Sequence, residues 1–355
     1  SVKVHRIPSR RGLRRSLLAR LRTYGGFAVP ALRTGLRLGR PDVVIASIQP
    51  LFTAWTARRV ARWRGVPWLL EVRDLWPDAL VVKGAISRRQ ALPLELLARS
   101  LYRDADRIVS VTPGIKLELV RKGIDDNKID VFPNGFDPAL FTLPPGARER
   151  DREQLGWGSK FVVLFAGTHT EVTAVDVIIR AAAQLRHRSD IRFELYGYGQ
   201  TKPAVMRLAR DLGLDNVGFH DPVPKSRIPS LVNASDVCLM TLFESPLIHI
   251  YFENKLMDYM GSGKPILAAM GGQQAELIVK HRAGRVVKAF DHDGLARLIA
   301  EAADHPGELA ELGANGQRLV RERLLLPDIL PRYAEVVEAV AARRARGIDA
   351  WDPFR

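Results

Sequence analysis

The sequence predicts an α/β protein built as two Rossmann-like halves. Three observations carry this. Short apolar runs of the kind buried on both faces of a sheet recur, among them FVVLFA at 161–166 and VCLMTL at 237–242. Helical patterns of roughly ten to fifteen residues separate such runs, the alternation of parallel strands with crossover helices. Several runs also empty into glycine-bearing loops, Gly167-Thr168-His169-Thr170, Gly197-Tyr198-Gly199 and Gly271-Gly272. Ligands of doubly wound sheets bind at that end of the strands.

In chain order, residues 1–8 alternate like a short strand. Residues 10–24 form a helical pattern, with Leu13, Leu17, Leu18, Leu21 and Tyr24 on one face. Arg10, Arg11, Arg14, Arg15 and Arg22 fall mainly on the other. Residues 43–48 read as a buried strand, 53–64 as a helix stopped at Gly65-Val66-Pro67, and 68–72 as the next strand. That strand runs directly into Arg73-Asp74-Leu75-Trp76-Pro77, so its charged pair stands at a carboxyl end; tying the loop down is the simpler use of such a pair. Residues 93–104 are a helix and 107–111 a strand. Thr112 caps the next helix and Pro113 opens it, because the proline lacks only an N–H that would be unpaired there. Residues 128–132 close the first half, and Pro133-Asn134-Gly135-Phe136-Asp137 reads as a turn. Residues 143–151 are polar, proline-bearing and aperiodic, as a linker is.

The second half opens with strand 161–166 and a helix from about Val175. A loop leading into a helix start offers backbone N–H groups to phosphate. Strands at 192–196 and 216–220 follow, then a helix at 227–234. The stretch 236–277 organises the rest: strand 237–242, a loop, and a helix at 254–260 with Asn254 as its cap. Gly261 and Gly263 end that helix through the left-handed conformation open to glycine. Pro265 starts strand 266–270, and Gly271-Gly272 turn the chain into a helix near Gln273. Strand 285–287 and helices at 293–304, 308–324 and 331–346 complete the chain. Lys255 and Asp258 share one helix face. They suit a phosphate and a ribose diol, or simply form a solvated ion pair.

Composition narrows the function. The 355-residue chain carries a net charge of +15, and residues 1–70 hold fifteen Lys or Arg against one acid, Asp42. The excess therefore acts in the first half, where it would draw an anionic membrane surface or a polyanion. The basic amphipathic pattern at 10–24 can lie in a bilayer interface, or can pack its leucines on its own domain. A nucleic-acid binder would interleave aromatics with those arginines, and residues 10–40 offer only Tyr24 and Phe27. A single cysteine, Cys238, excludes an internal disulfide and a cysteine-rich zinc site. No apolar run approaches membrane-spanning length.

The segment NKLMDYMGSGKPILA resembles the nucleotide-sugar motif of the family 4 retaining glycosyltransferases, which have the GT-B fold. It is most similar to the branch of colanic-acid and N-acetyl-L-fucosamine transferases that make bacterial surface polysaccharides. The pattern there runs P-S-K-hydrophobic-F-E-Y-M-A-A-G-K-P. Lys255 matches the lysine, Gly263-Lys264-Pro265 the ending, and Asp258 stands where glutamate holds the ribose. A second family glutamate lies eight residues earlier, where this chain has Ile250. EVRDLWP resembles the same branch, and Arg73-Asp74 stand where other family members have a histidine followed by Asp or Glu, the histidine lying beside the transferred sugar. GTHT resembles the family's G-T-H-G with Thr170 for a glycine, GYG its V-G-x-G ending, and PNGFD its P-N-G motif, where Asn134 and Gly135 are chiefly structural.

The resemblance implies two Rossmann-like domains facing across a cleft. An acceptor-side domain would span residues 1–144, a nucleotide-sugar domain 145–330, and a helix returning to the first domain 331–355. It implies Arg73 and Asp74 at the reaction centre. The donor would be bound by Gly167, Thr168, His169, Gly197, Lys255, Asp258, Gly271, Gly272 and Glu276, with Lys255 on the phosphates. The implied reaction moves a sugar from a nucleoside diphosphate, UDP, to a glycan on a membrane polyprenyl diphosphate, with retention, without a metal or other cofactor. The protein would sit at the cytoplasmic face of the plasma membrane through its basic N-terminal helix, and would bind no nucleic acid. Two rivals remain at this stage: a nucleotide-sugar 2-epimerase, and a membrane-bound scaffold that has lost catalysis. The chain also starts at Ser1 in a strand well inside the family's first domain, so the resemblance implies a missing first strand, Gly-rich loop and helix.

Overall fold

Apolar residues on both faces of the inner strands, such as residues 237–241 and 266–269, decide the sheets. A computed structural model describes residues 2–7, 17–82, 84–250 and 252–343. The chain divides into two units: the described residues up to Pro133 with those from Leu330, and Asn134–Ile329. In the first unit come α1 (Leu17–Arg37), β1 (Val44–Ser47), α2 (Leu51–Arg64), β2 (Trp68–Val72) and α3 (Asp78–Val82). α4 (Arg88–Asp104), β3 (Arg107–Ser110), α5 (Pro113–Arg121) and β4 (Ile129–Val131) follow. The four strands are parallel in the order β1-β2-β3-β4. Leu69, Leu70, Val72 and Ile108 are wholly buried. Local chemistry sets the helix ends. Gly65 closes α2 in the left-handed conformation, Thr112 Oγ1 accepts from Ile115 N at 3.0 Å, and Ser87 and Gln90 cap α4 reciprocally.

The second unit holds α6 (Ala147–Gln154), β5 (Phe161–Ala166), α7 (Val175–Gln184), β6 (Ile191–Tyr196), α8 (Lys202–Asp211) and β7 (Val217–His220). It continues through α9 (Ile228–Ala234), β8 (Val237–Thr241), α10 (Asn254–Gly261), β9 (Ile266–Ala269), α11 (Gly272–Lys280) and β10 (Gly284–Val287). α12 (His292–Asp304), α13 (Leu309–Arg323) and α14 (Leu326–Ala341) complete the chain, α14 lying in the first unit from Leu330. Six parallel strands run β10-β9-β8-β5-β6-β7, with Val163 of β5 opposite Val237 of β8. The order reverses between β5 and β8. The loops after those two strands leave the sheet in divergent directions, which opens a crevice at their carboxyl ends. Among the described residues no helix is long and apolar enough to cross a membrane.

Several local expectations are corrected. Residues 2–7 form no strand, and Val2 and Val4 are exposed. α1 runs past Gly25-Gly26 and Pro30 to Arg37, because tertiary packing overrides weak local propensity. Ala28 is buried in it, and Gly35 lets it close on α2, since a Cβ there would lie 2.8 Å from Val60 Cγ2. Residues 8–16 and the side chains of 17–24 lie outside the described set, and with them the arginine and leucine faces at 10–24. β1 is an edge strand with Ile45 exposed rather than a strand buried on both faces. The linker is helical from Ala147, since Arg148 and Arg152, one turn apart, both bind Asp236 (2.6 and 3.2 Å). Asn254 is the first residue of α10, not its cap; that place belongs to Glu253. Gly263 closes the helix left-handed (φ +71°), whereas Gly261 is glycine because a Cβ would overlap the Phe136 ring.

Candidate functional site

The loop after β5 and helix α10 after β8 flank the point where strand order reverses. Tyr259 of α10 fixes the two together: its buried hydroxyl accepts from Ala166 N (2.9 Å) and donates to Ala166 O (3.3 Å). Lys255, one turn earlier, therefore reaches the β5 loop. Its Nζ lies 4.3 Å from the Phe165 ring centroid and 3.2 Å from where a Cβ on Gly167 would be. Glu253 Oε2 stands 3.1 Å from the same ammonium, outside hydrogen-bond geometry. The Lys255 side chain is 10% exposed. A cation this buried over an aromatic face, with no hydrogen-bond acceptor among the described residues, is placed to receive an anion.

His169 is fully buried and stacks on Phe165 (5.7 Å, 17°). Neither ring nitrogen has a hydrogen-bond partner among the described residues. Burial, then the charges of Lys202 and Lys255, pull its pKa down to about 4. At neutral pH the ring is uncharged, so one nitrogen donates and the other accepts.

The loops after β5 and β6 are pressed backbone to backbone. Gly197 (φ +143°) and Gly199 (φ +159°) have no room for a side chain, because a Cβ would overlap Gly167 O or His169 O. Gly167 N donates to Tyr196 O (2.9 Å), His169 N to Tyr198 O (2.8 Å) and Thr170 N to Thr173 Oγ1 (3.0 Å). Three N–H groups expected to cradle phosphate are thus used internally, and the loop offers side chains instead. Thr168 is exposed beside them. Thr170 does not crowd the loop but closes it through Thr173, whose hydroxyl donates to Thr168 O at 2.7 Å.

Asp258 lies on α10 one turn from Lys255, paired with Lys225. Burial raises its pKa, and the Lys225 ammonium works against that rise. Gly271 and Gly272 start α11 at the end of β9, Gly271 in open space and Gly272 (φ +80°) packed on Ile248 O. Glu276 is exposed on the same helix. Ile250 is buried in a 3-10 turn. Asn134 Nδ2 donates to Asn254 Oδ1 (2.6 Å), and Gly135 packs on Leu324 and Ile329.

Arg73 and Asp74 stand in the first unit, at the carboxyl end of β2. Asp74 Oδ1 accepts from Leu75 N (3.1 Å), and buried Leu75 anchors the loop. Arg73 Nη1 is 3.9 Å from Glu71 Oε1. Tyr333 of α14 packs edge-on to Phe132 (5.4 Å). Burial and then Glu71 push its hydroxyl up to about 12, so it remains a proton donor beside Glu71 and Arg73. Sequence reasoning missed Tyr333, Phe165, Glu253, Lys225 and Gln274.

Residues 1–135 match the family described as Glycosyl transferase 4-like domain, and residues 160–305 match Glycosyl transferases group 1. The chain belongs to the family 4 glycosyltransferases. D-inositol 3-phosphate glycosyltransferase 2 of Catenulispora acidiphila is 31% identical over 224 residues, 59% of this chain and 51% of that one. The Escherichia coli K12 glycosyl transferase WcaI, named for colanic acid biosynthesis, is 26% identical over 256 residues, 70% of this chain and 62% of its own. This glycosyltransferase chain thus spans between half and two thirds of these curated relatives. Anabaena Alr3699/HepE, crystallised with UDP, superposes with a TM-score of 0.74 at 21% identity, over 88% of this chain and 82% of that one. Both units accordingly have the Rossmann-like architecture of GT-B proteins.

Proposed function

We propose that the chain transfers a sugar, with retention, from a nucleoside diphosphate to a glycan carried on a membrane polyprenyl diphosphate. UDP is the nucleotide of this reading, and bacterial surface polysaccharide synthesis its setting, as in the colanic-acid branch. The observation that carries the proposal is Lys255, a buried ammonium with no hydrogen-bond acceptor among the described residues, at the reversal of strand order. A diphosphate supplies the missing acceptors, and stabilising it as it leaves is the main work such a site can do. Gly271 and Gly272 add the N-terminus of α11, where aligned dipoles favour a second phosphate oxygen. Asp258 takes the ribose hydroxyls. His169, neutral at working pH, hydrogen-bonds the donor without adding charge. Gly167, Thr168 and Gly197 shape the loop, and Glu276 lies at its margin on α11. Arg73 and Asp74 act on the reacting sugar.

The chain works at the cytoplasmic face of the membrane, drawn to anionic lipid by its basic N-terminal segment. HepE, crystallised with UDP, supports the nucleotide, and WcaI, named for colanic acid, supports the setting. A thermal-stability screen against UDP-, GDP- and ADP-sugars tests the donor. Stabilisation by UDP-sugars above the others is expected, and none by any nucleotide sugar would refute it. Conversion of a UDP-sugar to its C2 epimer without an acceptor would favour the epimerase.

A further inference from the structure

Diphosphate binding accounts for Lys255 but leaves three neighbouring groups unexplained. Glu253 Oε2, Gln274 Nε2 and both ring nitrogens of His169 are buried without hydrogen-bond partners among the described residues. They form one connected wall with the lysine. Gln274, 1% exposed, holds Glu253 through its Oε1, which accepts from Glu253 N at 2.9 Å. Glu253 pairs with Lys255 at 3.1 Å, Lys255 lies over Phe165, and Phe165 stacks on His169. Burying polar atoms unpaired is costly, so such a cluster on rigid elements marks groups that a ligand completes.

The ligand here is not phosphate alone, because a carboxylate 3 Å from the cation repels one. A carboxylate oxygen accepts from a hydroxyl and an amide NH2 donates to one, so these two groups match ligand hydroxyls. Glu253 would repel a carboxylate on the ligand. In a nucleoside-diphosphate sugar the sugar hangs from the phosphate farther from the base, so a diphosphate on Lys255 brings its hydroxyls to the adjoining wall. Position 250, where the resembling family carries glutamate, holds buried Ile250 instead, and the nearest acid following it in the chain is Glu253. Glu253 stands where that pattern has proline.

We propose that Glu253 is the acceptor for hydroxyls of the transferred sugar and restricts the donor to neutral sugars, against uronic acids. This rests on the nucleotide-sugar reading above. Gln274 is the residue that positions it.

Calorimetry of the whole chain separates the two. The probes are UDP, four neutral donors (UDP-glucose, UDP-galactose and their N-acetylamino forms) and UDP-glucuronate. Wild type is expected to bind the best neutral donor at least about tenfold more tightly than UDP-glucuronate. Glu253→Gln should reduce the ratio of neutral-donor to UDP affinity about tenfold, leave UDP itself unchanged or tighter, and relieve the penalty on UDP-glucuronate. Glu253→Asp should restore part of the ratio. Equal losses for UDP and UDP-sugars would make Glu253 a structural residue and overturn the proposal. So would an unchanged ratio, or wild type binding UDP-glucuronate as well as neutral donors. Wild type that binds UDP but gives any of those results refutes only the role of Glu253, whereas wild type that binds no UDP compound refutes both.

Discussion

The ammonium of Lys255 stands 4.3 Å from the centroid of Phe165, joining the helix after β8 to the last turn of β5. Lys255→Met keeps the stem on the ring and removes the charge. UDP binding should weaken tenfold to a hundredfold, the about 1.5–3 kcal/mol of a hydrogen bond to a charged group. Thermal stability should fall in the absence of ligand, because the ion pair with Glu253 and the contact of the charge with Phe165 are lost. Calorimetry with UDP checks the first statement and a melting curve the second.

Gly197→Ala tests whether the two loops must touch. The new methyl group would overlap the Gly167 carbonyl oxygen in a backbone conformation (φ +143°) that side chains rarely adopt. A loss above about 2 kcal/mol is expected, or about 4–8 °C in melting temperature. Gly271→Ala, into open space, should cost far less. Equal effects of the two would mean that the loop contact does not matter.

His169 gives a pH signature. Its folded pKa of about 4 lies below the ordinary histidine value of 6.5. The unfolded chain therefore takes up the proton first as pH falls. The resulting stability is fully present above pH 6.5 and is lost as pH drops toward 4, by at most about 3 kcal/mol. His169→Phe keeps the stack on Phe165 and should flatten this part of the stability profile. Denaturant melts at pH 7, 5.5 and 4.5 would show it, and parallel profiles would contradict it.

Asp258 and Lys225 should behave as a coupled pair. Asp258→Asn should weaken UDP binding by about 1–3 kcal/mol if the carboxylate holds ribose. Burial already raises this carboxyl, and Lys225 restrains the rise. Lys225→Met should let it protonate at higher pH. UDP affinity would then fall more steeply from pH 7 to 5 than in wild type. Titrations across that range decide it.

Much of this was legible because it is local. Residues 237–240 and Ile266–Ala269 are apolar without a break, so their burial follows from the residues themselves. Lys255 is fixed by its place on a short helix that ends in glycine. The failures involve partners far away in sequence. Residues 147–151 look like linker until Arg148 and Arg152 meet Asp236 more than eighty residues later. Gly261 reads as a helix stop, but its reason is the ring of Phe136. Glu253 and Gln274 are ordinary polar residues in the sequence, and only burial without partners sets them apart. The GTHT loop suggested a phosphate cradle because the sequence does not show its N–H groups bonding to Tyr196, Tyr198 and Thr173.

The central claim is acceptor-dependent transfer from a nucleotide sugar, and the direct measurement is label movement. The chain is incubated with UDP-[14C]sugars and a bacterial polyprenyl-linked glycan extract, and label is counted in the lipid phase. The expected result is lipid-phase label that requires both extract and enzyme, accompanied by UDP release, and that Lys255→Met and Asp74→Asn each reduce at least about tenfold. Label that stays in the aqueous phase for every donor, from a chain that still binds UDP, would contradict the account.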